Sequence, residues 1–157
     1  MAIVRLIVAV TFALALSLSV VTAAAANGST PKVPVLGSHQ VYPGPGSVGW
    51  GTYKPATIFN GGDPSSDVTH ITWTGWGSST ADGHGKSYIF KPNGGYYPGS
   101  VTIELRAANL GHCTADGPLA YEHLDAREPN KPGGKLGKWF RWGGNTTVCR
   151  SSFVPAP

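Results

Sequence analysis

The sequence lacks the motifs of several common protein classes. Its 157 residues contain no Gly-x-Ser-x-Gly nucleophile elbow and no internal repeat at a solenoid period. Charged residues make up only 13% of the chain, and its net charge of +4 is too small to indicate a nucleic-acid partner. An elbow-type serine hydrolase, a repeat protein and a nucleic-acid-binding protein therefore have no support in the sequence.

The N-terminal segment differs from the rest and has the order of a secretory signal peptide, predicted at residues 1–26. A single charge at Arg5 precedes an apolar run over Leu6–Val21, and alanines occupy Ala23–Ala26. This order predicts export with cleavage after Ala25 or Ala26, a secreted or extracellular location, and membrane contact only before cleavage. An uncleaved anchor helix is the alternative, although no basic stop-transfer residues follow. A lipid-anchored lipoprotein is not expected, because no cysteine lies near the cleavage site.

Cysteine is scarce, with Cys113 and Cys149 as the two examples in the chain. In an exported protein such a pair is expected to form a disulfide, which would stabilise the fold by about 3 to 4 kcal/mol in the chain-entropy model. Two cysteines this far apart do not resemble a metal or catalytic pair. The disulfide is therefore predicted to attach the C-terminal segment to the domain.

Glycine and proline are abundant, and aromatic residues accompany them. The chain has 22 glycines and 13 prolines, together with 5 tryptophans, 6 tyrosines and 5 phenylalanines. So many turn formers approach the composition of disordered chains, but aromatic rings supply the buried surface that disordered chains lack. The combination predicts short strands joined by many turns.

The pattern along the chain predicts an all-β fold, an antiparallel β-sandwich or partly open barrel of six or seven short strands. Residues 27–49 are expected to be an extended, poorly ordered lead-in, with one short strand near Val33–Leu36 or Gln40–Tyr42, and residues 50–157 to be a single β domain. The segment Leu119–Arg127 suits a helix nearly as well as a strand, and we predict a strand because its neighbours are strands. The other predicted strands are Tyr53–Asn60, Asp67–Trp76, Lys86–Lys91, Ser100–Ala107, Lys138–Trp142 and Thr146–Phe153.

The stretch Asp67–Gly85 is the centre of this pattern. β-branched and aromatic residues alternate in its first half, so Ile71 and Trp73 are expected to point into the core. Trp76 follows at the bend. The glycines that come next, at positions 75, 77, 83 and 85, predict a tight turn and a chain reversal, and therefore a hairpin.

Four segments between Thr57 and Leu105 carry a family resemblance. They read TIFNGGD at Thr57–Asp63, THITWTGWGSSTADGHG at Thr69–Gly85, KPN at Lys91–Asn93 and VTIEL at Val101–Leu105. This pattern, with its W-x-x-W-G and A-x-G-x-G elements, resembles small secreted actinobacterial proteins of unknown function, over roughly a third of the chain. The family often has a cysteine pair near the Pro-Asn turn, where this chain has Phe90 and Gly94. The resemblance implies export and a compact β domain, and it implies no activity.

Several acidic and histidine residues lie in or beside the predicted hairpin. They are candidates for acid–base chemistry if turns at one end of a sheet bring them together. Their spacing matches no calcium loop or zinc motif, and turn chemistry alone accounts for the Asp-Gly pairs. No catalytic residue, metal or cofactor is therefore predicted, and a small extracellular hydrolase remains an alternative. The residues are Asp63, Asp67, His70, Asp82 and His84.

Aromatic residues beside basic ones offer a second hypothesis, because exposed aromatic rings can stack on sugar rings. The predicted binding residues are Tyr96, Tyr97, Trp139, Arg141 and Trp142. A simpler explanation is that the KWFRW segment has one buried and one exposed face. The basic residues that follow Arg127 would suit an anionic surface, or they form an ordinary solvated surface. The sequence thus predicts a non-catalytic binding module whose partner is a cell-wall polymer or another extracellular ligand, with a structural envelope protein as a further alternative.

Overall fold

A computed structural model describes residues 33–150, and it consists mainly of β-strands. The predicted signal peptide and the end of the last predicted strand, Thr146–Phe153, lie outside the described residues. Within them no helix is long and apolar enough to cross a membrane. The strands are β1 (Val35–Leu36), β2 (Ile58–Phe59), β3 (Asp67–Thr74), β4 (Thr80–Ser87), β5 (Val101–His112), β6 (Leu119–Arg127) and β7 (Phe140–Arg141), with short 3₁₀ turns at Pro64–Ser66 and Trp142–Gly144.

The strands form one sheet of seven strands in the order β1-β6-β5-β4-β3-β2, with β7 also paired to β6. Neighbouring strands are antiparallel, except that β1 runs parallel to β6. The sheet curls into a half-barrel. The predicted all-β class and partly open barrel are confirmed, and the described residues form one curled sheet rather than the two sheets of a sandwich.

The core lies on the concave side of this sheet, and the segment before β2 covers it. Leu36, Val41, Trp50 and Ile58 are almost completely buried, at 0 to 1% exposure. Backbone hydrogen bonds join Leu36 to Thr52 and to Gly51, which folds the segment back on itself. Residues 33–49 therefore belong to the domain, and the predicted boundary at residue 50 does not follow the structure. Prolines and glycines surround Leu36 and Val41 in the sequence, so the pattern did not reveal that these two side chains belong to the core.

A bulge in β3 explains how its side chains reach the core. Ile71 and Trp73 are buried as predicted, but strict alternation would turn Val68 outward. The register against β4 shifts between Thr69 and Thr72, and His70 has a left-handed φ of 54°. Because the bulge adds one residue, Val68 also points into the core.

The hairpin partner of β3 starts earlier than predicted. Gly75 and Gly77 form the turn, with φ of 68° and 97°, but Gly83 and Gly85 lie inside β4 and face the core. A Cβ atom on Gly83 would lie 2.9 Å from the Trp73 ring. These glycines make room for side chains from β3. Because β4 runs from Thr80 to Ser87, the predicted strand Lys86–Lys91 corresponds to the last two residues of β4 and the connection that follows them.

Of three other predicted segments, two differ from the structure and one is confirmed. Of the predicted strand Tyr53–Asn60, only Ile58 and Phe59 form a strand, β2. The first part is irregular because Lys54 has a left-handed φ of 43° and proline follows it. The strand predicted at Leu119–Arg127 is confirmed, since this segment pairs with β5 along its length. Up to residue 150 the last predicted strand is irregular, although the Val148 amide donates to the Glu122 carbonyl oxygen.

The disulfide between Cys113 and Cys149 is present, with the two Cα atoms 4.9 Å apart. It joins the loop after β5 to the C-terminal segment. Val148, next to Cys149, is fully buried and belongs to the core. The predicted attachment of this segment to the domain is therefore confirmed.

Candidate functional site

A cleft of about 220 Å³ brings together four parts of the chain: the loop before β3, the connection after β4, the start of the loop after β6, and β7 with the turn that follows it. Its walls combine aromatic rings, hydroxyl groups and one carboxyl group. The lining residues are Asn60, Ser65, Ser66, Phe90, Glu128, Phe140, Trp142 and Gly143.

Two phenylalanine rings form the apolar walls of the cleft. Phe90 is 52% exposed and Phe140 is 43% exposed. Alternation beyond β4 turns Ile89 into the core and Phe90 outward, whereas Phe140 lies at the sheet edge, opposite Ala126. Large apolar side chains on a surface are informative when they line a concavity, because there they can cover a ligand.

The predicted turn at Pro92–Gly95 places Tyr96 behind the first of these rings. The Lys91 amide donates to the Gly95 carbonyl oxygen at 2.9 Å, and the ring centroids of Phe90 and Tyr96 are 4.4 Å apart. Tyr96 therefore supports Phe90, and it does not line the cleft itself. Tyr97, the other predicted binding residue of this turn, is half-buried and packs against the core.

The base of the cleft is Trp142, which is 4% exposed. Its indole Nε1 donates to Asn60 Oδ1 at 3.1 Å, which orients the amide of Asn60 at the cleft wall. Trp142 thus has little free surface for stacking, and its main contribution is to the core. The exposed ring of this segment is that of Phe140, which is not among the binding residues predicted from the sequence.

Glu128 supplies the carboxyl group. It is half-buried, and this burial raises the pKa of its side chain above the usual value. No ion pair or side-chain hydrogen bond connects this carboxyl group to another residue between 33 and 150. It is also the one ionisable side chain among the residues that line the cleft.

Trp139 and Arg141 lie on the convex face of the sheet, away from the cleft. The guanidinium carbons of Arg106 and Arg127 are each 4.7 Å from the centroid of the Trp139 ring. Arg141 forms an ion pair with Asp125, with 3.2 Å between Nε and Oδ1. These contacts are typical of cation–π and ion pairs that fasten a strand to a sheet. They attach β7 to the sheet. They therefore also fix the position of Phe140, which lies between Trp139 and Arg141 in the sequence.

The acidic and histidine candidates do not come together. Asp82 is paired across the sheet with Thr74 at one end of β3, and Asp67 lies at the other end, about 20 Å away at the usual rise per residue. Asp82 is held instead by Arg106, with 2.8 Å between Oδ1 and Nε. His70 is exposed at the bulge and contacts Thr69. Burial raises the pKa of Asp67.

His84 lies opposite Glu104, and Asp63 precedes the 3₁₀ turn without a side-chain cap. Among residues 33–150 no three His, Cys, Asp or Glu side chains are close enough to hold a metal ion. The hairpin candidates are therefore not assembled into one site.

A second cleft, of about 400 Å³, lies between β5 and the loop after β6. Its ionisable lining residue, Glu104, accepts a hydrogen bond from Arg127 Nε at 2.7 Å. Its other lining residues are aliphatic, hydroxyl-bearing, proline or glycine residues, and none has an aromatic ring. The smaller cleft is the better candidate, since it combines exposed aromatic rings with an unpaired carboxyl group.

Comparisons with protein-family models, curated proteins and solved structures return no match for this chain. The resemblance to secreted actinobacterial proteins stays a prediction, and function has to be inferred from the residues themselves. Of the lining residues, Phe90 is the one whose outward orientation could be predicted from the sequence. In the alternation Tyr88, Ile89, Phe90 it lies on the side opposite Ile89. Glu128 carried no such signal, because its loop packs by tertiary contacts.

Proposed function

We propose that this chain is an exported, non-catalytic binding module that holds one ring of an extracellular polysaccharide, such as a cell-wall polymer, in the cleft between Phe90 and Phe140. The observation that carries the proposal is this pair of exposed rings beside polar groups. Sugar rings present apolar C–H faces and polar edges, so they fit walls that are aromatic on one side and hydrogen-bonding on the other.

The polar groups of the cleft are suited to hydroxyl ligands. The amide of Asn60 is oriented by Trp142, and the Glu128 carboxyl group accepts hydrogen bonds when it is ionised. Ser65 adds a hydroxyl group that can donate or accept. The cleft volume of about 220 Å³ is below the range of most small-molecule sites. It suits one ring of a chain that continues into solvent.

Export and an extracellular location are part of the proposal. The predicted signal peptide supports them, and the Cys113–Cys149 disulfide is compatible with an oxidising compartment. The hydrolase alternative has less support than binding, because Asp82 on β4 pairs with Thr74 at one end of β3 and Asp67 lies at the other end. A purely structural role in the envelope stays a prediction that a binding measurement addresses.

The test is retention of the mature protein on insoluble cell-wall polysaccharide and on chitin. Phe140→Ala and Phe90→Ala should each weaken retention about three- to tenfold, the usual contribution of one aromatic contact. The matched control is Tyr53→Ala, which removes a ring that is 59% exposed and outside the cleft. Lack of retention of the parent protein on any polysaccharide would refute the proposal, as would equal losses for Phe140→Ala and Tyr53→Ala.

A further inference from the structure

The Glu128 carboxyl group has a different setting from three other carboxylates of the domain. Asp82, Glu104 and Asp125 each contact an arginine on the convex face of the sheet. Glu128 is half-buried and has no ion-pair partner among residues 33–150. A partly desolvated carboxylate without a partner is unfavourable, so a cation supplied by a ligand would gain more here than at a paired site.

The walls beside Glu128 are also suited to a cation. The faces of the Phe90 and Phe140 rings carry negative partial charge, and organic ammonium groups bind such faces favourably. Calcium suits the cleft less well, because it takes six to eight oxygen ligands and the cleft offers one carboxyl group with a few neutral oxygens. An organic ammonium group needs only one carboxylate and an apolar surface.

We propose that the cleft selects a sugar ring that carries a protonated amine, as in a polymer with free-amine glucosamine units, over a neutral or N-acylated ring. The ammonium group would donate to Glu128, and the C–H face of the ring would lie against Phe90 or Phe140. This inference rests on the proposed function and specifies the ligand of the same site. The overall charge of the protein opposes it, because a chain of net charge +4 repels a cationic polymer. A measured preference would therefore come from the cleft.

The experiment compares two soluble oligosaccharides of equal length, a glucosamine oligomer and its N-acetylated form, by calorimetric titration. The pH is chosen so that the amine is protonated and carboxyl groups are ionised. The parent protein should bind the glucosamine oligomer about tenfold more tightly, as expected for one charge-assisted hydrogen bond. Glu128→Gln keeps the shape of the side chain and removes its charge, and it should abolish this preference, so that the two oligomers bind the variant with affinities within about twofold of each other.

The matched control is Asp116→Asn, which makes the same change in net charge at an exposed position outside the cleft. Unchanged melting temperatures would show that both variants are folded. The selectivity is refuted if the parent binds both oligomers equally, or if Asp116→Asn and Glu128→Gln weaken binding of the glucosamine oligomer to the same extent. In both cases retention that depends on Phe140 still supports the binding module. If the parent binds neither oligomer and no insoluble polysaccharide, the selectivity and the proposed function fail together.

Discussion

The two faces of the hairpin strand β4 are built on different physical principles. Its concave side is formed by Ala81, Gly83, Gly85 and Ser87, all nearly inaccessible to solvent, whereas Asp82, His84 and Lys86 alternate with them on the convex side. On the concave side, the space left by side chains of β3 limits the size of the residue at each position. On the convex side, charges pair across the strands at the surface. Substitutions of similar size should therefore have very different effects on the two faces.

The charged side chains on the convex face form rows across the sheet, because residues paired in neighbouring strands lie side by side. In one row Asp82, Arg106, Asp125 and Arg141 are successive partners across β4, β5, β6 and β7, so that opposite charges always adjoin. Neighbours of opposite charge stabilise a sheet modestly, and like charges in the same positions would destabilise it. This row therefore favours the correct register of four strands more than it adds to the free energy of unfolding.

The largest difference between the faces is expected for Gly85→Ala. The new Cβ atom would lie 2.5 Å from Val68 Cγ1 and 3.1 Å from the Thr69 carbonyl oxygen. Overpacking of this kind should lower the free energy of unfolding by about 1 to 3 kcal/mol in urea titrations. His84→Ala, on the neighbouring convex position, should stay within about 0.5 kcal/mol.

A double-mutant cycle sharpens this prediction. If the clash with Val68 is the cause, Val68→Ala combined with Gly85→Ala should cost less than the sum of the two single changes. Strict additivity, or a His84→Ala effect as large as that of Gly85→Ala, would show that the concave position is not sterically limited.

A smaller effect is expected for the convex pair Asp82 and Arg106. Both side chains are nearly half exposed, at 48% and 44%. The coupling measured with Asp82→Asn, Arg106→Gln and the double variant should be about 0.2 to 1 kcal/mol. It should decrease further in about 1 M salt, where screening is strong. A coupling that is larger and unaffected by salt would mean that this face contributes to stability as a buried network does.

The smallest effect concerns Glu128, which belongs to neither face. Its pKa is raised by burial in the folded protein, so the unfolded chain releases this proton first as the pH rises. The parent should lose a little stability between the pKa of the unfolded chain and the higher pKa of the folded protein. Glu128→Gln removes this loss, so thermal melts should show the variant slightly more stable at neutral pH and equal to the parent in acid. A variant that is less stable at neutral pH would contradict the unpaired setting of this carboxyl group.

Local pattern was sufficient to predict part of the fold. Alternation identified β5 through Val101, Ile103 and Leu105, and the buried Trp73 on β3, because a strand half-buried in a sheet repeats every two residues. The sequence pattern did not predict features that depend on residues from other strands. Gly83 and Gly85 have the composition of a turn, and only the position of the Trp73 ring and of Val68 shows why the strand needs glycine there.

The candidate site also contains residues that the sequence pattern predicted and residues that only the tertiary structure brought together. The sequence selected Tyr96 and Trp142 as binding residues, which the structure places behind and beneath the exposed rings rather than at the free surface. Phe90, Phe140 and Glu128 are separated by long stretches of chain, and no local spacing relates them. Their proximity results from the pairing of β7 with β6 and from the turn after β4.

By itself, the sequence determined that this chain forms short strands and turns, that its two cysteines pair, and that its rings supply a core, because these properties depend on residue type and short-range spacing. The tertiary structure decided which glycines pack against side chains rather than form turns, which aromatic residues stay exposed, and which carboxyl groups pair with an arginine. The physical reason is that burial and pairing depend on neighbours brought close by the curl of the sheet, and no stretch of the chain encodes those neighbours alone.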